Sequence, residues 1–412
     1  MGAVPSLVPI YLLLFCGMKI LPPFFTIDYF LLCVSSFLFF ASFNMIVPEL
    51  PSYLTSLGGE DYKGLIISLF TLTAGLSRPF SGKLADKVGR IPVMVFGASI
   101  CFVVSLLYPV MTSVAGFLLL RFVHGFSTGF TPTGTSAYVA DIVPFNRRGE
   151  AMGIQSLFGS LGMAAGPALG GYLASIYHIN ILFYVSGIVA ILSILILIRL
   201  KETVNPTERL NKSHITLSRH EIIEKRVMDP SIVLFFTVFS FGIILTIIPD
   251  YSEFLGIKNK GLFFAVFTLA SLAIRIVAGR TSDKYGRIPV MKVASLSMAL
   301  AMFIIAYADS MLMLMVGGVI FGCSVGMNSP TVTAWTIDLS LDAFRGRALA
   351  TMYIALEAGI GLGAVFSGWI YGNKIENFKY VFLMGSLSAI IAFLYLLTLS
   401  HKRPKYLRKK ST

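Results

Sequence analysis

The sequence falls into about twelve apolar runs, each close to the roughly 20 residues that a helix needs to cross a bilayer. They lie near 28–50, 62–82, 92–111, 114–142, 150–173, 180–199, 230–251, 261–280, 289–308, 311–338, 346–371 and 378–399. Lipid offers the backbone no hydrogen-bond partner, so each run must bond internally, which makes it a helix. An even count returns both ends of the chain to one side. The expectation is an all-α membrane protein with twelve transmembrane helices. A soluble domain is excluded on the same ground. Of 412 residues 56% are hydrophobic and only 13% are charged, about half the charged share of a soluble domain.

A net charge of +13 invites a nucleic-acid partner, but its distribution does not. With alternate loops on opposite sides, 24 Lys and Arg fall on one side and five (Lys63, Lys258, Lys260, Lys374, Lys379) on the other. Such a bias marks the rich side as cytoplasmic. The expectation is therefore a multi-pass protein of the cell's inner (plasma) membrane with both termini cytoplasmic and no nucleic-acid partner. Arg78, Arg121 and Arg275 stand apart, inside apolar runs. Cys16, Cys33, Cys101 and Cys323 also sit in apolar runs, without metal-ligand spacing, and read as small buried hydrophobes. Neither a metal nor a cofactor is expected.

The longest polar stretch, 201–229, divides the chain. Residues 28–200 and 230–400 are expected as two six-helix bundles, 201–229 as a cytoplasmic connector with a short amphipathic helix around His220 to Val227, and 401–412 as a basic tail on anionic headgroups. Residues 1–27 read as an N-terminal extension. Its apolar stretch lacks the basic start of a signal peptide, and Met18-Lys19 offers an alternative start.

The two halves repeat. GKLADKVGRIPVM from Gly82 returns as GRTSDKYGRIPVM from Gly279, a shift of 197 residues. The same shift carries Arg78 to Arg275, Phe70-Thr71-Leu72 to Phe267-Thr268-Leu269, Asp141 to Asp338, and Gly125 and Gly129 to Gly322 and Gly326. It also carries Arg148-Gly149 to Arg345-Gly346. A string of matches in one register indicates duplication. Parallel repeats related by an axis along the membrane normal place a solute site at their interface near mid-membrane.

The G-x-L-A-D-K-x-G-R element after the second run, with its copy after the eighth, resembles the signature of the major facilitator superfamily. The likeness covers nearly the whole chain from about residue 28. It implies two pseudo-symmetric six-helix bundles that rock about a central site. Gly82 and Gly279 allow helices to approach closely. Gly89 and Gly286 permit the tight turn. In the family such a loop belongs to a charge cluster that latches the cytoplasmic side. The resemblance assigns that latch to Asp86, Arg90 and Asp141 with Arg78 in support, and a second latch to Asp283, Arg287, Asp338 and Arg275. The competing reading is solvated loop charge that only sets topology.

LLLRFVHGFSTG from Leu118 resembles a second family motif, an intramembrane Arg tied to proton coupling, here Arg121 with Gly125 as close-packing partner. His124 lies one turn on, where the family usually has another polar residue. The alternative for Arg121 is a structural anchor to carbonyls. GSLGMAAGPALGG, with Gly159, Gly166, Pro167, Gly170 and Gly171, resembles the motif of drug–proton antiporters in the fifth helix. There Gly166-Pro167 is expected to bend the helix and the glycines to give a smooth packing face. A generic packing helix is the alternative.

Glu357, near the middle of the eleventh run, is the leading proton carrier, because an intramembrane carboxyl is costly to keep charged. It could equally bind a cationic solute or bond a neighbouring helix. Glu49 and Asp250 end the first and seventh runs in matching places, as rim or gate residues. By resemblance the cavity is lined by the first, fourth, seventh and tenth helices, which supply Asn44, Thr128, Thr131, Asn328, Thr331 and Trp335. Few charges and many Phe suit a hydrophobic or amphipathic solute.

Proton-coupled efflux by a monomer is therefore the leading expectation, with protons, a small solute and the bilayer as its partners. Uptake or facilitated diffusion of a metabolite is the alternative. An integral membrane enzyme or receptor comes last, since no nucleophile elbow, metal motif or large soluble domain is present. No phosphate-binding loop is found either, so uphill transport has to draw on an ion gradient.

Overall fold

The computed structural model describes residues 25–144, 147–203, 223–341 and 345–400. They form twelve long helices: α1 Ile27–Ser56, α2 Lys63–Lys87, α3 Arg90–Leu107, α4 Val114–Ile142, α5 Arg148–Ile176, α6 Ile179–Leu197, α7 Met228–Phe254, α8 Leu262–Tyr285, α9 Arg287–Ala306, α10 Met311–Leu339, α11 Arg345–Tyr371 and α12 Phe378–Ser400. A 3-10 turn at Val47–Glu49, opened by Pro48, interrupts α1. No strand occurs among the described residues. The expected extension up to residue 24, the connector over 204–222 and the tail lie outside the described residues. Of the short helix expected around His220 to Val227, the described part is a 3-10 turn at Lys225–Val227.

Among the described residues, nine helices carry an 18-residue window apolar enough to cross a membrane alone. α8 qualifies as two segments meeting at a bend, and α2 and α5 have the length without the uniform apolarity. α2, α5, α8 and α11 lie between the bundles, α2 against α11 and α5 against α8.

The repeat is visible atom by atom. A Cβ on Gly125 would meet the Phe70 carbonyl, and one on Gly322 the Phe267 carbonyl. Gly129 lies on Ala74 and Ser77, Gly326 on Ser271 and Ile274. Each contact follows from the other by the shift of 197. Small residues let backbones close where lipid supplies no hydrophobic drive for helices to associate. Ser113 caps α4 by accepting from the Gly116 amide at 3.2 Å, and Ser310 caps α10 from the Met313 amide at 3.4 Å. Gly89 and Gly286 start α3 and α9 with φ of 130° and 93°, a region that favours glycine.

The loops rich in Lys and Arg lie at one end of the molecule, here called the basic end. The buried core is organised differently at the two ends. Toward the basic end no cluster joins the bundles: one lies around Tyr29, Met94 and Tyr138, a small one around Ala85, Val93 and Phe130, and another around Val233, Met291 and Trp335. Toward the far end, the cluster around Met45, Ile66 and Phe117 includes Ile360 and Ala364 of the second bundle. The bundles are joined at the far end and part toward the basic end.

Candidate functional site

The interface between bundles has two seams in one register. In the first, Gly64 lies on Ala364 and Gly368, Gly361 on Thr71, and Gly75 on Glu357. In the second, Gly261 lies on the Pro167 carbonyl and Gly171 on Gly261 and Asn259. Subtracting 197 from Gly261 gives Gly64, and adding it to Pro167 and Gly171 gives Ala364 and Gly368. The fifth-helix motif is thereby explained. Gly159 lies on Phe40, and Gly162, Gly166 and Gly170 seat α1 on its carbonyls at Phe37, Ala41 and Met45. Pro167 and Gly171 face α8. α11 does the same against α7 with Gly359 and Gly363, although it lacks the Gly-Pro pair. α5 runs unbroken through Pro167.

One turn deeper, Arg78 reaches across the first seam. Its Nε and Nη2 donate to Glu357 Oε1 at 3.2 and 2.7 Å. Its guanidinium lies 4.6 Å from the Tyr353 ring. The side chains are 16% and 9% exposed, so the bond is shielded and worth more than a surface pair. The carboxyl expected to stand alone thus has a cation partner in the other bundle. Arg78, expected to support the latch, is engaged here instead. Arg275, at the matching place in the second seam, donates from Nη1 to Ser156 and Ser160, each at 3.2 Å.

The two latches sit at the basic end. Arg90 Nε donates to Asp141 at 3.0 Å, and Arg287 Nε to Asp338 at 2.9 Å. Arg287 also pairs with Asp283. The side chain of Asp86 lies outside the described residues. Each of these pairs stays within one bundle. A Cβ on Gly82 or Gly279 would meet nothing within 4 Å, so the close helix approach expected there is absent in this conformation, because the bundles have parted at that level. Glu202 falls in the connector and belongs to no motif. It caps α3, accepting from the Arg90 and Ile91 amides at 3.0 and 2.9 Å, while Thr203 donates to Asp141 at 2.7 Å.

Arg121 is 1% exposed. It donates to the Ile66 carbonyl at 2.9 Å and to the Tyr108 hydroxyl at 3.3 Å, over the Phe70 ring at 4.7 Å. His124 joins Tyr108 at 3.2 Å and Cys101 at 3.4 Å. The cluster binds α2, α3 and α4 together, and among the described residues no carboxylate enters it. This geometry matches an anchor to carbonyls. Tyr108 and Cys101 carried no motif that would have flagged them.

Of the expected cavity residues, Asn328 and Thr331 stand out. Asn328 Nδ2 donates to Thr237 at 2.6 Å, yet Asn328 Oδ1 and Thr331 Oγ1 are buried without a partner among the described residues. Asn44 and Thr128 bond back to carbonyls of their own helices. Thr131 faces its own bundle, donating to the Met94 carbonyl of α3 at 3.1 Å. Trp335 is likewise in the core of the second bundle, packed with Val233 and Met352. Which face of each helix looks inward depends on packing, and the sequence carries no local signal for it.

At the far end the bundles are tied by polar bonds. Lys63 of α2 pairs with Asp250 of α7, and Lys63 also lies 5.5 Å from the Tyr371 ring. Lys260 donates to Ser52 at 2.6 Å, and Asn259 to the Ala168 carbonyl at 3.3 Å. These bonds between bundles, with those of Arg78 and Arg275, run from the middle of α2 and α8 to this end. Asp250 thus ties the two bundles together at the rim.

This geometry has known counterparts. The family model described as Major Facilitator Superfamily matches residues 32–261 and 230–412. The multi-drug resistance efflux pump PmrA of Streptococcus pneumoniae is 27% identical over 373 residues, covering 87% of this chain and 92% of that one. The quinolone resistance protein NorA of Staphylococcus aureus is 24% identical over 386 residues, 89% and 95% of the two chains. The multidrug resistance protein MdtG of Serratia proteamaculans is 27% identical over 391 residues, 90% and 93%. Among solved structures, a D-xylose–proton symporter superposes with TM-score 0.74 at 15% identity, over 89% of this chain and 96% of that one. A peptide transporter in complex with sulfate gives 0.76 at 17%, over 91% and 94%; at such identities the likeness speaks for the fold. Repeat, seams and family match agree: the chain belongs to the Major Facilitator Superfamily and is a multi-pass membrane transporter, not an enzyme.

Proposed function

We propose that this transporter expels a hydrophobic or amphipathic solute in exchange for protons, with Glu357 as the proton carrier and Arg78 as its partner. The observation that carries the proposal is the Arg78–Glu357 bond, shielded, near the middle of α11 and spanning the two bundles. Only an ionised Glu357 makes this ion pair, so forming it and losing the proton go together. A proton on Glu357 removes the attraction that ties α2 to α11 at this level. Proton binding and the relative position of the bundles are thereby coupled.

The basic end is cytoplasmic in this reading, by the charge bias of the loops, so the described conformation faces the cytoplasm. Solute enters from that side or from the inner leaflet. Asn328 Oδ1 and Thr331 Oγ1, buried and unpartnered among the described residues, offer it an acceptor and a hydroxyl; buried polar atoms left open call for a partner. Switching breaks Lys63–Asp250 and Lys260–Ser52 at the far end and brings the basic ends together. Residues 28–200 and 230–400 move as the two bundles about the connector 201–229, with residues 1–27 as an extension and 401–412 as a basic tail on the cytoplasmic face. The protein works as a monomer in the plasma membrane, with both termini in the cytoplasm. Arg121 and His124 brace the first bundle, and Arg90–Asp141 and Arg287–Asp338 brace the loops that meet when the basic end shuts. The efflux named in its relatives supports export as the direction.

The test is solute-triggered proton movement in proteoliposomes with a pH-sensitive dye, wild type beside Glu357→Gln, over a panel of lipophilic cations and organic acids. Proton release on addition of a compound, lost in Glu357→Gln, is the expected result. Coupled movement that survives in the variant removes Glu357 from the role. Transport without a proton signal ends the antiport reading.

A further inference from the structure

The two seams obey one register but differ in charge. Arg78 and Arg275 correspond by the shift of 197, and the same shift carries Tyr353 and Glu357 back to Ser156 and Ser160. So the first seam holds an arginine with a carboxylate and a ring, and the second an arginine with two hydroxyls. Among the described residues no carboxylate pairs with Arg275. An intramembrane cation without a counter-charge is costly and is normally matched.

The free edge of the guanidinium is specific. Arg78 holds its carboxylate with Nε and Nη2, the fork that suits a carboxylate or phosphate. Arg275 spends only Nη1 on the serines. Its Nε is buried without a partner, and its Nη2 makes no hydrogen bond among the described residues. The same fork that grips Glu357 in one seam is open in the other. Ser156, which accepts from the same guanidinium, is exposed.

We propose that Arg275, with Ser156 and Ser160, binds the carboxylate of an amphipathic anionic or zwitterionic solute, which stands where the second seam lacks its own Glu357. Depth favours a solute over a lipid headgroup. Arg275 lies ten residues from Tyr285 at the basic end of α8, about 15 Å along a helix, beneath the level of headgroups. The serine hydroxyls can turn to donate to the anion while still accepting from Nη1. The inference deepens the transport reading, on which it rests for the nature of the cargo.

The test is equilibrium binding to the purified protein without any gradient, so it reads the site whether or not protons are coupled. Calorimetric titrations compare 1-naphthylacetate with its neutral counterpart 2-(1-naphthyl)ethanol. The wild type is expected to bind the carboxylate about tenfold or more tightly than the alcohol, the scale of a charge-assisted fork. Arg275→Gln erases that preference and leaves the alcohol's affinity unchanged, which also shows that the variant is folded. Arg275→Lys keeps part of the preference, and Ser160→Glu, which supplies an internal carboxylate, erases it. Absence of carboxylate binding, equal affinities in the wild type, or a preference that survives Arg275→Gln each overturns the proposal. Repeating the titration in phosphatidylcholine nanodiscs with and without phosphatidylglycerol separates the sources. A preference unchanged by the anionic lipid keeps the site for solute, and one abolished by it gives the site to a headgroup. If the carboxylate preference is found but Glu357→Gln proteoliposomes still move protons, the coupling assignment fails and this site stands.

Discussion

Neutralising Arg78 and Glu357 singly and together tests whether their bond holds the bundles in the described conformation. With side chains 16% and 9% exposed and a 2.7 Å contact, the pair is in the range where charged hydrogen bonds contribute about 1.5–3 kcal/mol. Glu357→Gln leaves a permanent guanidinium facing a neutral amide and the Tyr353 ring, which retains only part of the attraction. We expect a loss of about 3 kcal/mol, toward the cost of orphaning one member of a buried pair. Arg78→Gln is expected to cost less, about 1–2 kcal/mol, because a carboxyl left without its cation can take up a proton whereas a guanidinium cannot shed one. At about 2–4 °C per kcal/mol for a unit the size of one bundle, Tm in detergent falls by several degrees in each single variant. The double variant has no unpaired charge left, so its Tm should lie no lower than that of Glu357→Gln alone. Losses that simply add across the two sites would mean that the two side chains do not act on one another, and the coupling argument would lose its base.

The remaining expectations follow from individual contacts. Asp250→Asn removes the charge partner of Lys63 at the far end, so a membrane-impermeant thiol reagent added outside should label a cysteine placed at Ser52 faster than in the parent. An unchanged rate would show that the tie does not hold the gate. Gly261→Leu puts a side chain against the Pro167 carbonyl, where backbone cannot yield, and is expected to push the protein out of the described conformation and reduce transport at least tenfold. Gly82→Leu and Gly279→Leu meet open space here, so Tm should stay within about 2 °C while transport falls, since the closed basic end has no room for them; full transport would refute the closure. Arg121→Gln removes the fully buried bond to Ile66, and a Tm loss of several degrees with proton coupling intact is expected of an anchor.

The fold was legible because its determinants are local and repeated. Lipid forces helices, their number follows from the length of the apolar runs, and the shift of 197 residues predicts contacts such as Gly125 on Phe70 and Gly322 on Phe267. What stayed hidden depends on rotation about a helix axis and on the relation between bundles. Thr128 and Thr131 are one turn apart on α4, yet one bonds its own helix and the other α3; polarity alone cannot choose between them. Glu357 was found by its cost in the membrane, but its partner lies 279 residues earlier in the chain and in the other half, where no local pattern points to it. Duplication supplies the missing signal. Applied to Glu357, the shift returns Ser160, so the chain has the arginine in both halves and the carboxylate in one. Two equal seams would bind a proton and a solute alike. Unequal ones can divide the work, the carboxylate in the first seam answering to the proton and the open guanidinium fork in the second to the cargo, with both seams opening and closing in the same motion.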